Sequence, residues 1–131
     1  MPGAARCAAG LPADTPDLQA YKHRVACHLH RRNQDQLFAG APPPVLKSVV
    51  VLSLKVDSRG QPAVQVLRSN GIRDLERRAM QAVRDAAPLP PPQQQLLRRG
   101  TADLTETWLF RDDGQFQLRS LAAVQAAWQD R

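Results

Sequence analysis

The sequence predicts a small α+β domain in which two helices pack on one face of a small antiparallel sheet of three strands plus a fourth, with a short C-terminal helix. Three observations carry this. Residues 49–56 form a run of β-branched and aliphatic residues, and residues 63–68 resume partial alternation after the polar turn Asp57-Ser58-Arg59-Gly60. An amphipathic stretch follows from Arg73 to Ala87 and stops at Pro88-Leu89-Pro90-Pro91-Pro92, because proline lacks the N–H a helix needs to continue. Further on, Asp112-Asp113-Gly114 separates two more strand-like runs, as a hairpin turn does.

Residues 1–16, rich in alanine, glycine and proline, read as a flexible N-terminal arm. Thr15-Pro16-Asp17 then predicts a helix start, with threonine as cap and proline in the first turn. The helix is expected from Pro16 to Gln36, with Leu18, Tyr21, Val25, Leu29 and Arg32 along one stripe. Gly40-Ala41-Pro42-Pro43-Pro44 is an extended connector. In the first strand Val50, Leu52, Leu54 and Val56 share one face, and Val64 and Val66 supply the matching face of the second. The second helix presents a narrow stripe of Leu75, Ala79, Ala82, Val83 and Ala86, whose alanines let it sit close to the sheet. Residues 93–99 are polar and specify no element.

Thr105–Arg111 reads as the third strand and Gln115–Arg119 as the fourth. Ser120 caps a short helix that aligns Leu121, Val124 and Trp128. The chain thus divides into the arm at 1–16, a domain at 17–119 and a helical extension at 120–131. A right-handed crossover from the second strand to the third places the first strand between them. The third strand then presents an edge, partly covered by the fourth.

A chain of 131 residues with 43% hydrophobic content holds one domain with its own core. Aromatics are only 5%, so that core is expected to be mainly aliphatic. The net charge of +6 comes from arginines interspersed with acids and forms no basic block. The sequence holds no membrane-spanning run and no secretory signal, so any anchor or signal would have stood upstream of Met1.

Chemistry is sparse. No nucleophile elbow, phosphate-binding glycine loop or His-Glu-x-x-His motif occurs. His23, His28 and His30 fall on the first helix without an acid at ligand spacing, and read as solvated surface groups. Asp112 and Asp113 read as turn residues. No catalytic residue, cofactor or metal is assigned, and the chain is not expected to be an enzyme. An RNA-binding sheet would carry exposed aromatics for base stacking, and the two strands of the first hairpin carry none, so nucleic acid is not an expected partner.

Cys7 and Cys27 match neither zinc spacing nor Cys-x-x-Cys redox spacing. In an oxidising compartment they would form one disulfide tying the arm to the first helix. In the cytosol they would be two free thiols. The remaining option is recognition at a strand edge, where unpaired N–H and C=O groups accept an extended peptide. The candidate residues are Thr105, Glu106, Thr107, Trp108, Leu109, Phe110 and Arg111. The plain alternative makes Trp108 and Phe110 core residues and the edge blocked.

Taken in order, these motifs resemble the C-terminal domain of TonB-family energy transducers. Tyr21-x-x-x-Val25-x-x-His28-Leu29-x-Arg31 looks like its first helix, and Val49-x-Val51-x-x-Leu54-x-Val56-Asp57-x-x-Gly60 like its first strand and turn. Val66-x-x-Ser69-x-Gly71-x-x-x-Leu75-x-x-x-Ala79-x-x-Ala82-Val83 is similar to its second strand and second helix, and Ala86-Ala87-Pro88-Leu89-Pro90 to its proline-bearing exit. The resemblance covers residues 18–111.

It implies a periplasmic module of a Gram-negative envelope, tethered in that family through a proline-rich linker to an inner-membrane helix. The family's domain grips a peptide of an outer-membrane transporter as an added strand beside the third strand, in energy-coupled transport. The related TolA domain has a similar fold and other partners. The sequence departs from the pattern at Leu37-Phe38 and the triple proline, at Lys47-Ser48, and by adding residues 112–131. If residues 115–119 pair with the third strand, they occupy the edge the peptide would use. A second reading is therefore a TolA-like or free-standing envelope adaptor that docks through another surface, its edge masked by residues 112–131, with Leu121, Val124 and Trp128 able to pair two copies. A third reading, an oxidoreductase, would need Cys7 and Cys27 reactive.

Overall fold

A computed structural model describes Cys7 and residues 17–122. Helix α1 spans Leu18–Arg32, strands β1 and β2 span Ser48–Asp57 and Pro62–Arg68, and helix α2 spans Arg73–Ala86. Strands β3 and β4 cover Thr101–Phe110 and Phe116–Leu118. The sheet runs β2-β1-β3-β4 and is antiparallel throughout. The expected strand order is present, with β4 outside β3. The C-terminal helix begins within residues 119–122. Thr15, Val124 and Trp128 lie outside the described residues.

One face of the sheet forms the core. Val50, Leu52, Leu54 and Val56 of β1 are fully buried, as are Ala102, Trp108 and Phe110 of β3. Val50 stands opposite Trp108, and Leu54 opposite Leu104, so these side chains share a face. Helix α1 adds Tyr21, Val25 and Leu29, and α2 adds Leu75, Ala79, Ala82, Val83 and Ala86. Each fully buried aliphatic side chain contributes about 1.5–3 kcal/mol of transfer free energy. The core is mostly aliphatic in number, yet Trp108, Tyr21, Phe110 and Phe116 are its largest members. The four are drawn inward because a large ring removes more apolar surface from water than any aliphatic residue.

Several boundaries differ from the sequence expectation, each for a local reason. Helix α1 starts at Leu18, where the Asp17 carboxylate accepts the Gln19 N–H at 3.0 Å. It ends at Arg32, ahead of Gln36, because buried Asn33 turns its amide back to donate to the Leu29 and Ala82 carbonyls. Leu18 stays largely exposed at the helix start, outside the buried stripe. Strand β3 begins four residues before the expected Thr105, since pairing with β1 continues to Asp57 opposite Thr101. Lys55 stands opposite Asp103 there. Strand β4 stops at Leu118, and Arg119 is already helical.

Gly60 fixes the turn between β1 and β2. Its φ of +85° lies in the left-handed region, and its carbonyl accepts the Leu89 N–H at 2.8 Å. A Cβ at this position would collide with the Leu89 carbonyl oxygen. The proline segment after α2 is thus docked on the hairpin, and Tyr21 adds a hydroxyl bond to the Pro90 carbonyl at 2.8 Å.

Candidate partner-binding site

The outer edge of β3 follows from the pairing parity. Ser48 pairs with Phe110, and the Lys47 N–H also donates to the Phe110 carbonyl at 2.9 Å. Even-numbered residues of β3 therefore turn their backbone groups toward β1, and odd-numbered residues turn theirs outward. Arg111 donates outward to the Gln115 carbonyl at 2.8 Å, and Leu109 pairs with Gln117 of β4. The Thr107 N–H donates to the Glu106 carboxylate at 2.8 Å. Thr101 exchanges backbone bonds with Arg98. Asp103 and Thr105 have no strand partner and no other backbone bond on this side among the described residues, and Thr107 has only the Glu106 carboxylate.

Strand β4 is braced from beyond. The Phe38 N–H donates to the Phe116 carbonyl at 3.2 Å, and the Gln117 amide donates to the carbonyls of Phe38 and Gly40 at 3.0 and 2.5 Å. Phe116 packs against both Trp108 and Phe110, with ring centroids 6.3 and 5.7 Å apart. Arg111 lies over the Phe38 ring at 4.7 Å and pairs with Asp113 in the turn. Leu37-Phe38, one of the departures from the sequence pattern, thus backs the added strand.

Glu106 closes the covered half. Its side chain is on the core face opposite Leu52 and is almost fully buried. The carboxylate accepts the Thr107 N–H, the Ser120 hydroxyl and the Ser120 N–H. Burial holds its pKa above the usual carboxylate range, against the opposing pull of those hydrogen bonds and of Lys22. The same side chain therefore occupies one edge amide and fastens the start of the C-terminal helix.

The seven residues expected to form the binding edge do not form one surface. Thr105 is exposed at the open part of the edge, and Thr107 and Leu109 are half-buried. Glu106, Trp108 and Phe110 are buried, and Arg111 is tied into the β4 turn. The Glu106–Ser120 link and the Gln117 brace have no local sequence signal, since their partners lie 14 and 79 residues apart.

The structure also joins Cys7 to Cys27 in a disulfide, with Cα atoms 5.4 Å apart. His23 lies one turn before Cys27, its Nε2 3.5 Å from the Cys27 sulfur. The expectation of solvated surface histidines is corrected. His23 adjoins this sulfur, His28 contacts the Ala86 carbonyl at 2.7 Å, and His30 is buried. The four-residue step from His23 to Cys27 is the signal that locates the first. His30 is turned inward with Leu29 at the end of α1, and burial lowers its pKa.

A family model described as TonB C terminal matches residues 18–102, well over half of the chain. The match ends within β3, so most of the edge and all of β4 lie beyond it. No curated protein and no solved structure matches the chain. Among the described residues no helix is long and apolar enough to cross a membrane.

Proposed function

This chain belongs to the TonB C-terminal family, and from that premise we propose that it is a periplasmic module that engages an extended segment of an outer-membrane transporter or another envelope protein by strand addition, in energy-coupled transport. The observation that carries the reading is the pair of unpartnered outer-edge residues, Asp103 and Thr105, on the third strand. An incoming strand pairs first with these two. It then extends toward Arg111 as β4 yields, so that Thr105, Glu106, Thr107, Trp108, Leu109, Phe110 and Arg111 become its bed. Backbone bonds supply affinity and the neighbouring side chains supply selection.

The test is titration with peptides from transporter plug domains, followed by backbone amide NMR. The expected result is shifts beginning at Asp103 and Thr105 and spreading to residue 119. Thr105→Pro removes one outward N–H without touching the ladder to β1, because proline is tolerated where the N–H faces away from the sheet. That variant should stay folded and lose the shifts. Shifts that survive it, or that bypass residues 103–119, defeat the reading.

The second reading is an adaptor docking through another surface, with the edge masked. It is favoured by β4 and its Leu37-Phe38 brace. A peptide response that grows when the brace is cut by Gln117→Ala supports a displaceable mask and strand addition. Binding that is indifferent to both variants favours the adaptor.

A further inference from the structure

We infer that Cys7, Cys27 and His23 form a redox-gated zinc site, in which reduction of the disulfide frees two sulfurs to bind one Zn²⁺ together with the His23 imidazole. The three ligand atoms lie within 4.8 Å of one another. A zinc–sulfur bond of about 2.3 Å and a zinc–nitrogen bond of about 2.0 Å at a tetrahedral angle set these donors about 3.5 Å apart. His23 Nε2 and Cys27 Sγ stand 3.5 Å apart on successive turns of α1. That pair already has the spacing of two ligands on one metal. Thiolate and imidazole together are a donor set that suits zinc. In the oxidised protein the two sulfurs are bonded to each other, so disulfide and metal exclude one another.

The chemistry balances simply. A dithiol reductant delivers two electrons and two protons. The Cys7–Cys27 bond breaks to two thiols as the reductant closes to its own disulfide. Zinc then displaces the two thiol protons to solvent, and two thiolates neutralise the divalent charge. The two sulfurs move apart to tetrahedral ligand spacing once the bond between them is gone. Cys27 is buried, whereas Cys7 and His23 are half-buried. Water can supply the fourth ligand, as it does at zinc sites with three protein ligands. Zinc so bound holds Cys7 against α1 as the disulfide does.

The experiment is competitive titration of the full chain with Zn²⁺ alone, using a chromophoric chelator. The reductant is a phosphine, which does not compete for zinc as a dithiol would. Reduced wild type should bind one Zn²⁺ per chain, at least about 100-fold tighter than the oxidised protein. His23→Ala should weaken binding at least about 10-fold and abolish any zinc-induced rise in melting temperature, as expected when one of three ligands is lost. Far-ultraviolet circular dichroism of oxidised His23→Ala checks that the variant is folded. Zinc should also shield both thiols of the reduced wild type from alkylation. Equal zinc affinity of reduced wild type and His23→Ala overturns the inference. Equal affinity of folded and urea-unfolded reduced chains overturns it too, because a fold-built site must be lost on unfolding.

Discussion

Strands β2 and β3 both flank β1, and their outer backbones meet different surroundings. On β2 the outward groups belong to Val64 and Val66, because Ser53 and Lys55 use the opposite parity to pair with Gln65 and Ala63. No strand covers them among the described residues. The protection is written into β2 itself. Pro62 begins it without an N–H, and a register shift between Val51 and Leu52 bends the far end near Leu67. Strand β3 has ten residues, no proline and no shift against β1. It is protected mainly by other parts of the chain, β4 and Arg98, with its own Glu106 carboxylate on the Thr107 N–H. The lesson is that β2 defends its edge by its own sequence, whereas β3 borrows its defence. A borrowed cover can be exchanged for a partner strand, which is why the open pair Asp103 and Thr105 is the place to probe.

The largest expected effect comes from removing the β3 ring on which the borrowed cover packs. Trp108 is fully buried against Phe116, so Trp108→Ala should cost about 3–5 kcal/mol. Val64→Ala on the self-defended edge should cost about 1 kcal/mol or less, since Val64 is half-buried. Urea unfolding of both variants measures the contrast. Equal losses would erase the distinction between the edges.

Reduction of Cys7–Cys27 in a metal-free buffer comes next. The bridge closes a loop of sequence separation 20, and losing it should lower stability by about 3 kcal/mol in the chain-entropy model. This acts on the unfolded chain and on neither edge. Amide exchange at Leu109 and at Gln65, whose backbone pairs with Ser53, should therefore change by the same factor. Unequal acceleration would show that the arm supports one edge specifically.

Gln117→Ala should cost about 2 kcal/mol, because it leaves the Phe38 and Gly40 carbonyls without their donor. Its signature is local. Exchange at Phe38 and Leu109 should quicken more than at Gln65 of β2, as measured by hydrogen exchange. A uniform increase would mean that β4 is held by its aromatic contacts and not by this brace.

How much of this was legible depends on how local each feature is. Turn chemistry, the alternation in β1 and the stripe in α2 repeat within a few residues, so they specify the hairpin, the crossover helix and the strand order. The first half of β3 was not legible, since Thr101-Ala102-Asp103-Leu104 has no β-branched run. It is a strand because β1 offers a partner along its whole length. The candidate site was legible as a strand and not as a surface. Alternation in residues 105–111 gives period two, but it does not say which face is buried or what occupies the edge. That required Gln117 to find Phe38, and Glu106 to find Ser120, contacts closed only by the tertiary fold.

The smallest effect, and the most specific to the covered edge, is a pH dependence. Burial raises the Glu106 pKa in the folded protein above its ordinary 4.5. Between those two values the folded chain binds more protons than the unfolded one, so stability falls as pH rises. The contribution is complete below the ordinary carboxylate value and is lost as pH climbs through the raised one. His30 acts in the opposite sense. Its pKa is lowered by burial from 6.5, so it costs stability as pH falls through that value. Comparing wild type with Glu106→Gln cancels His30 and isolates the carboxyl. The glutamine cannot ionise, so the stability difference should move steadily in favour of Glu106→Gln as pH rises from about 4 to 7. Parallel stability curves for the two proteins would mean that Glu106 ionises freely. The covered edge would then be sealed by β4 and the Leu37-Phe38 brace, and Glu106 would not make that cover depend on acidity.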